Sequence, residues 1–274
     1  MSTALGDSDL IRRSSLEGLL VAAHDRRLTA LVADAGFGKT TTMSPAFDAG
    51  RTVWHTITAV DLSVSALGRS IIEKLRLLVP ALSGDVLLAV AGGRGLDSGS
   101  GTTRPETLAA AVAQDLSEHL RRAIVFVVDD AHGLNGLPES SGFLAALGRH
   151  APPTLHLVVA SRSDLPFPTA RMRLAKEADR ITTDQLAFTV DEVGELARKR
   201  MGHVDIGLIE AIHERTAGWP VRAIPTGLAP RARDNSGNPG ERKAGDRDSA
   251  ARSSTLGGFG VALSGACNTD RPHA

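Results

Sequence analysis

The sequence predicts an α/β fold in which helices cover both faces of a mostly parallel sheet. Three observations predict it: short apolar runs alternate with helical patterns, a glycine-rich loop follows the first run, and paired acids follow the third. Five runs have the length and composition of buried strands. They lie at about residues 28–33, 52–57, 124–128, 155–160 and 181–188. We therefore expect a five-stranded sheet in a three-layer α/β/α domain.

Helical patterns separate and follow these runs. Leucine or valine recurs every fourth residue from Leu108 to Leu120, which predicts the buried face of a helix. After the fifth run, Asp191 is the predicted N-cap of one helix, and a second helix is predicted over 206–215. These two helices predict a small lid that follows the sheet.

Composition divides the chain into four predicted segments. They are a lead-in segment with a helix (1–27), the core (28–189), the helical lid (190–224) and a tail (225–274). The tail is dominated by Arg, Asp, Gly, Pro and Ser and has hardly any apolar periodicity. Such a segment buries too little apolar surface to offset its ordering entropy, so we expect disorder there. Gly92 to Pro105 is rich in small polar residues and is predicted to be a mobile surface loop.

The loop after the first run has the pattern of a phosphate-binding loop, or P-loop: residues 33–40 read Ala-Asp-Ala-Gly-Phe-Gly-Lys-Thr. Glycines let backbone N–H groups turn inward around phosphates, Lys39 reaches the β- and γ-oxygens, and the Thr40 hydroxyl can ligate Mg²⁺. Ala33 replaces the first glycine of the pattern and is tolerated if its φ stays negative. The sequence thus predicts a nucleoside-triphosphate site on a P-loop NTPase fold. The predicted nucleotide contacts are Ala35, Gly36, Phe37, Gly38, Lys39, Thr40 and Thr41.

Two acids directly follow the third run. Asp129 and Asp130 end a predicted buried strand, and ligands of open α/β sheets bind at the carboxyl edge of the strands. Asp129 is the predicted Mg²⁺ ligand beside Thr40, and Asp130 is predicted to polarise the attacking water. The alternative is a solvated acidic turn, which the P-loop in the same chain disfavours. We expect His132 to cap or pack rather than to catalyse or bind a metal.

Two further residues are candidates for contact with the nucleotide. If the fourth strand lies beside the P-loop strand, Arg162 faces the γ-phosphate and distinguishes a triphosphate from a diphosphate. Taken alone, an arginine after a strand is usually a surface residue. In the lid, Gly218-Trp219-Pro220 either ends a helix with Trp219 as a core anchor, or places Pro220 against the adenine face.

Charge and composition exclude several classes of partner. Lys plus Arg equals Asp plus Glu, at 31 each, so no global basic field favours direct nucleic-acid binding. A single cysteine, Cys267, excludes an internal disulfide. Residues 1–13 lack the apolar segment of a signal peptide, and no apolar run approaches the ~20 residues of a membrane span. We therefore expect a cytoplasmic protein without a membrane partner.

Four motifs together resemble the ATPase module of the MalT-like, LuxR-type large ATP-binding transcription regulators. These are signal-transduction ATPases with numerous domains (STAND), in the P-loop class that also contains AAA proteins. The motifs occupy residues 33–42, 127–132, 157–166 and 218–220, in the family's order, within a resemblance over about residues 10–224. The resemblance implies that Ala33 is acceptable at the start of the loop, since the family often has alanine there. It also implies the roles given above for Lys39, Thr40, Asp129, Asp130, Arg162 and Pro220.

The sequence also departs from that family. The family's winged-helix domain, helical-repeat sensor and C-terminal helix-turn-helix are not recognisable here, and no residue corresponds to the winged-helix histidine that contacts the phosphates. The tail after Pro225 is interpreted as a frame-shifted or decayed continuation of a truncated module.

We expect ATP and Mg²⁺ as ligands and slow or conditional hydrolysis, with ATP and ADP stabilising different packings of lid and core. Two alternatives stay open: a stand-alone AAA-type ATPase working as a homo-oligomer, and a non-catalytic nucleotide-binding fragment acting through full-length relatives.

Overall fold

A computed structural model describes residues 11, 13–22, 25–83 and 105–223, all within one compact unit. The strands are β1 (Leu28–Val32), β2 (Thr52–Thr56), β3 (Ile124–Asp129), β4 (Leu155–Ser161) and β5 (Ala178–Thr182). The helices of the described residues are α1 (Ser14–Ala22), α2 (Lys39–Ala46), α3 (Val64–Leu75), α4 (Pro105–His119), α5 (Pro138–His150), α6 (Ala170–Leu174), α7 (Thr183–Leu186), α8 (Val190–Met201), α9 (Ile206–Thr216) and α10 (Pro220–Ala223). Short 3₁₀ turns span Ala49–Arg51, Ala59–Asp61 and Ala131–Leu134.

The five strands form one parallel sheet in the order β2-β3-β4-β1-β5. Leu28 of β1 lies opposite Leu157 of β4, and Ile124 of β3 lies opposite Leu155 of β4. The predicted α/β class and the five-stranded parallel sheet are confirmed. The condition set for Arg162 is also met, because β4 lies directly beside the strand that leads into the P-loop.

Helices cover the sheet on both faces. Phe126 and Val128 of β3 pack in a cluster with residues of α3, α4 and α5. Val125 and Val127, which alternate with them, pack with residues of α1 and α2 on the other face. Strands β1, β3 and β4 are buried along their whole length. This explains why they are continuous apolar runs rather than alternating ones.

The predicted fifth strand, 181–188, is wrong in its position. The observed strand is Ala178–Thr182, which is at the edge of the sheet, pairs with β1 alone among the described strands, and exposes Asp179 and Arg180. An edge strand with polar exposed positions does not give an apolar run. The chain then turns into α7, because Thr182 and Gln185 form a capping box in which the Thr182 N–H donates to Gln185 Oε1 at 3.0 Å.

The predicted helices agree with α4, α8 and α9, but the N-cap of α8 is wrong. Thr189 is the N-cap: its hydroxyl accepts a hydrogen bond from the Glu192 N–H, and its N–H donates to the Glu192 carboxylate. Asp191 lies in the first turn, where its negative charge interacts favourably with the helix dipole. The predicted mobile loop, apart from Pro105, and the predicted tail lie outside the described residues.

Helices α8 and α9 share a small apolar core with residues from other parts of the chain. Val193, Leu196 and Ile209 are buried in it, and Ile11 from the lead-in segment and Phe188 pack against them. The lead-in segment and the lid are therefore packed together. Among the residues that the structure describes, no helix has both the length and the apolar character needed to cross a membrane.

Candidate nucleotide-binding site

A cavity of about 330 Å³ lies at the carboxyl edge of the sheet, a volume in the range of small-molecule sites. Its lining contains every residue that the sequence predicted for the site. These are Ala35, Gly36, Phe37, Gly38, Lys39, Thr40, Thr41, Asp129, Asp130, Arg162 and Pro220. The chain thus brings four separate motifs to one space, and the role of each residue there stays a prediction.

The P-loop runs from β1 to α2 through two left-handed glycines. Gly36 has a φ of 84° and Gly38, the N-cap of α2, has a φ of 74°. Glycine is favoured at both positions because a side chain is strained at positive φ. The described non-glycine residues with positive φ do not include Ala33, so the condition for an alanine there is met. Beyond Gly38, the first N–H groups of α2 have no intrahelical acceptors and can bind an anion.

Lys39 is a buried cation in this loop, with only 8% of its surface exposed. Its ammonium group donates hydrogen bonds to the carbonyl oxygens of Ala33, at 2.5 Å, and Asp34, at 3.0 Å. Burial lowers the pKa of Lys39, although the carboxylate of Asp129 acts in the opposite direction. Phosphate oxygens are stronger acceptors for an ammonium group than neutral carbonyls, so a bound phosphate can replace these two partners.

Thr40 and Asp129 converge at the start of α2 and the end of β3. The Thr40 hydroxyl donates to Asp129 Oδ2 at 2.8 Å, and Asp129 Oδ1 accepts from the Asp130 N–H at 2.8 Å. Asp129 is buried. Hydroxyl and carboxylate oxygens are hard donors of the kind that Mg²⁺ prefers. The adjacent pair of oxygens therefore fits a Mg²⁺ site, in which Thr40 and Asp129 would be the protein ligands.

Asp130 lies between two basic side chains. Arg162 Nε is 3.2 Å from Asp130 Oδ1 and Arg162 Nη2 is 3.4 Å from Oδ2, so the guanidinium group faces both carboxylate oxygens. His132 Nδ1 is 3.7 Å from Asp130 Oδ1. The backbone of Asp130 is left-handed, with a φ of 55°, which an aspartate tolerates better than most residues. Two of the three predicted catalytic residues, Asp130 and Arg162, are therefore ion-paired to each other, and the third is Lys39.

The other end of the cavity is apolar and was missed by the sequence analysis. It is lined by Ile11, Phe188 and Leu196, together with Pro220, which the sequence predicted as a contact of the base. Further lining residues that were missed are Arg13, Glu17, Thr42 and Pro45. Ile11, Arg13, Glu17, Phe188 and Leu196 lie far from the P-loop in the sequence and belong to no motif, so no local signal could have found them. Thr42 and Pro45 follow the P-loop directly on α2, and that proximity was the signal available for these two.

Arg13 joins the lead-in segment to the lid at this end. Its guanidinium group is buried and donates to the carbonyl oxygens of Leu186 and Ala187, each at 2.8 Å, and to Glu192 Oε1 at 2.9 Å. It also lies 5.0 Å from the centroid of the Phe188 ring, as in a cation–π contact. Because the guanidinium group is planar and its acceptors are fixed, it holds the segments that it joins in a defined orientation.

The sheet order, the glycine-rich loop and the acids at the end of β3 define a P-loop NTPase fold. No protein-family model matches the sequence. The chain is similar to the serine/threonine-protein kinase PknK of Mycobacterium tuberculosis strain ATCC 25618 / H37Rv, with 28% identity over 218 residues, 77% of this chain and 19% of that protein. The similarity to PknK of Mycobacterium bovis has the same extent. The chain thus spans about a fifth of the length of the curated relatives it matches.

Solved structures with low sequence identity are also similar to the chain. One is a STAND protein with a tetratricopeptide repeat sensor from Pyrococcus horikoshii, with a TM-score of 0.49 and 13% identity over 77% of this chain and 28% of that chain. Another is the Orc1 protein of Aeropyrum pernix in complex with DNA, with a TM-score of 0.47 and 15% identity over 78% of this chain and 58% of that chain. The Walker-type ATPase of Pyrococcus abyssi has a TM-score of 0.44 and 15% identity over 78% of this chain and 65% of that chain.

Proposed function

We propose that this chain is a nucleotide-binding module that binds ATP with Mg²⁺ and hydrolyses it slowly or conditionally. The observation that carries the proposal is the convergence of three groups on one cavity. They are the P-loop with its buried Lys39, the oxygen pair of Thr40 and Asp129, and the ion pair of Asp130 and Arg162. Each group suits a different part of a triphosphate.

Binding begins with the phosphates at the P-loop. The glycines and the first turn of α2 offer N–H donors, and Lys39 exchanges its two carbonyl acceptors for phosphate oxygens. Thr40 and Asp129 would hold Mg²⁺, which would neutralise part of the phosphate charge. The apolar end of the cavity then receives the base, with Pro220 against its face.

Hydrolysis uses Asp130 as the proton acceptor. A water oxygen bonds to the γ-phosphorus while the bond to the β–γ bridging oxygen breaks, and ADP leaves with that electron pair. Asp130 takes a proton from the water, and Arg162 stabilises the charge on the γ-phosphoryl oxygens. In the present geometry Arg162 is paired with Asp130, so it must exchange this carboxylate for phosphate. Because Arg162 must leave Asp130 before hydrolysis, we expect turnover to be slow or conditional.

We further propose that the module is the ATPase switch of a MalT-like, LuxR-type STAND regulator. The four motifs in the family's order support this assignment, with a core over 28–189 and a lid over 190–224. Contacts of the lid with the lead-in segment and with the P-loop support a switch, because ATP and ADP can stabilise different lid packings. We expect a cytoplasmic protein that acts through a homo-oligomer or full-length relatives. Kinase activity belongs to the name of a much longer relative and is not part of this proposal.

Calorimetric titration of the full chain with ATP and ADP, each with and without Mg²⁺, tests the proposal. We expect both nucleotides to bind, Mg²⁺ to strengthen ATP binding, and phosphate release to be slow. A folded chain, verified by circular dichroism, that gives no binding heat with either nucleotide would overturn it. Rapid steady turnover without a partner would instead support a stand-alone AAA-type ATPase.

A further inference from the structure

Trp219 of the lid packs against the P-loop instead of the lid's own core. Its ring is stacked on Phe37, with the centroids 5.9 Å apart and the planes 6° from parallel. It belongs with the apolar cluster that contains Leu31, Phe37 and Met43 on the P-loop face of the sheet. The lid's core, around Val193 and Ile209, is a separate cluster. The core anchor considered for Trp219 therefore exists, but it anchors the lid to the nucleotide loop.

A hydrogen bond to the P-loop accompanies the ring contact and orients the indole. Trp219 Nε1 donates to the carbonyl oxygen of Ala35 at 3.1 Å. Ala35 and Gly36 share a planar trans peptide, so fixing this carbonyl also fixes the direction of the Gly36 N–H. Gly36 lines the cavity and has a φ of 84°. Trp219 thus restrains the loop at a peptide whose two residues both line the cavity.

The backbone that precedes Trp219 is closely packed against Phe188. Gly218 has a φ of 69°, and a Cβ there would lie 2.5 Å from the Phe188 carbonyl oxygen. The Phe188 N–H donates to the Gly218 carbonyl oxygen at 2.7 Å, and His213 Nε2 lies 3.0 Å from the Phe188 carbonyl oxygen. Phe188 in turn lies under the guanidinium group of Arg13. These contacts fasten His213 and Gly218 of the lid to Phe188, and Trp219 directly follows Gly218, so a lid that moves away from Phe188 would also move the indole.

We propose that Trp219 is a positioning residue that couples the lid to the P-loop. It holds Ala35 and Phe37 in the conformation that accepts phosphates, and displacement of the lid removes this restraint. By linkage, a nucleotide that orders the loop stabilises the docked lid to the same extent. The inference rests on the proposed function, since it requires nucleotide binding at the loop.

Two substitutions separate the two contacts. Trp219→Phe keeps an aromatic ring but loses the indole N–H, and we expect Mg·ADP to bind about threefold to tenfold more weakly, as for loss of one hydrogen bond. Trp219→Leu loses the stack as well and should weaken binding further. Phe37→Leu should weaken Mg·ADP binding about as much as Trp219→Leu. The double variant should bind Mg·ADP no more weakly than the weaker-binding single variant, since both substitutions remove the same contact.

Ile209→Val is the control: it lowers the melting temperature of the lid core but leaves Mg·ADP affinity unchanged.

Fluorescence gives a readout that a purely structural role would not move. The chain has two tryptophans, so Trp54→Phe leaves Trp219 as the sole indole. In this full-length variant, we expect Mg·ADP to change the Trp219 emission with the Kd measured by calorimetry.

The outcomes separate the inference from the function. Wild-type affinity in both Trp219 variants, or unchanged emission while calorimetry shows binding, overturns the coupling alone. Loss of affinity in Ile209→Val equal to that in Trp219→Phe also overturns it. If Trp219→Leu does not fold, Trp219→Phe still decides the question. Absence of Mg·ADP binding by the folded wild-type chain overturns the proposed function and the coupling together.

Discussion

The two ends of the cavity are built in different ways. The phosphate end, named for the part of the nucleotide that we propose it binds, consists of the P-loop, Asp129, Asp130 and Arg162, which are short motifs at the ends of neighbouring parallel strands. The base end, named for the base that we propose it receives, consists of Ile11, Arg13, Phe188, Leu196 and Pro220, which three distant stretches of chain bring together. The phosphate end thus depends on the sheet, whereas the base end depends on the docking of the lid and the lead-in segment.

This difference sets the expected size of each effect. At the phosphate end, a single charged group would face several charges of the proposed nucleotide, so its loss would leave them uncompensated. At the base end, apolar contact is shared among several side chains, and each contributes a smaller part. Substitutions at the phosphate end should therefore have large effects that are specific to one step of binding or hydrolysis. Substitutions at the base end should have smaller effects on affinity that are equal for all nucleotides.

Lys39→Ala should have the largest effect. It removes the buried ammonium group, and we expect ATP and ADP affinity to fall by about 100-fold, the order of a lost charge-assisted contact of ~3 kcal/mol. Calorimetry measures the affinity and circular dichroism the fold. Lys74→Ala, an exposed lysine on α3, is the control and should bind normally. Unchanged affinity in a folded Lys39→Ala protein would refute the assignment of the phosphate end.

Asp129→Asn and Asp130→Asn should separate metal binding from hydrolysis. Asp129→Asn weakens the Mg²⁺ dependence of ATP binding, because the amide is a poorer ligand for a hard cation. Asp130→Asn keeps Mg·ATP binding but loses turnover by about 100-fold or more, because an amide accepts no proton from water. Titrations with and without Mg²⁺, and phosphate release, measure the two effects. Identical behaviour of the two variants would contradict this division of roles.

Arg162→Ala should affect the discrimination between nucleotides. We expect ADP affinity to stay within about twofold of wild type, while ATP loses about tenfold, the order of one charge-assisted contact with the γ-phosphate. Competitive titration of ATP against ADP measures the ratio. Arg121→Ala is the control, because Arg121 is an exposed arginine that precedes β3 in the sequence. Equal losses for both nucleotides would show that Arg162 does not sense the γ-phosphate.

Arg13→Lys tests the base end and should have the smallest effect. A lysine keeps the charge but cannot hold Leu186, Ala187 and Glu192 with one planar group. We expect ATP and ADP affinity to fall equally, by about threefold, with the Mg²⁺ dependence unchanged. Nucleotide titration with and without Mg²⁺ measures both quantities. A loss confined to ATP would mean that Arg13 acts on the phosphates, and the comparison between the two ends would then fail.

The sequence predicted the phosphate end because its residues are local in the chain. A buried strand followed by a glycine-rich loop or by paired acids is a contiguous pattern, and the parallel sheet brings such strand ends to one edge. Four of the five strands were placed from their apolar runs for the same reason: β1, β2, β3 and β4 lie at or within one residue of the predicted bounds. The placement of Arg162 needed the sheet order, which only the structure supplied.

Elements whose signals are not apolar runs were harder to predict. Strand β5 is at the edge of the sheet and carries Asp179 and Arg180, so its pattern resembles a surface segment. Arg13 and Phe188 have no local signal, because their roles come from contacts between residues more than 170 positions apart. Pro220 was found through the resemblance of its motif to a family and not through its composition.

The charged edge strand also constrains how copies of this chain can associate. On β5, Asp179 is paired with Arg26 at 3.0 Å and Arg180 with Asp164 at 2.6 Å, so ion pairs flank the open side of the sheet. A second copy adding its own strand there would have to displace these pairs and bury charge, which disfavours growth of the sheet from one molecule into the next. An oligomer of this module is therefore expected to form through helical surfaces rather than by strand addition at β5.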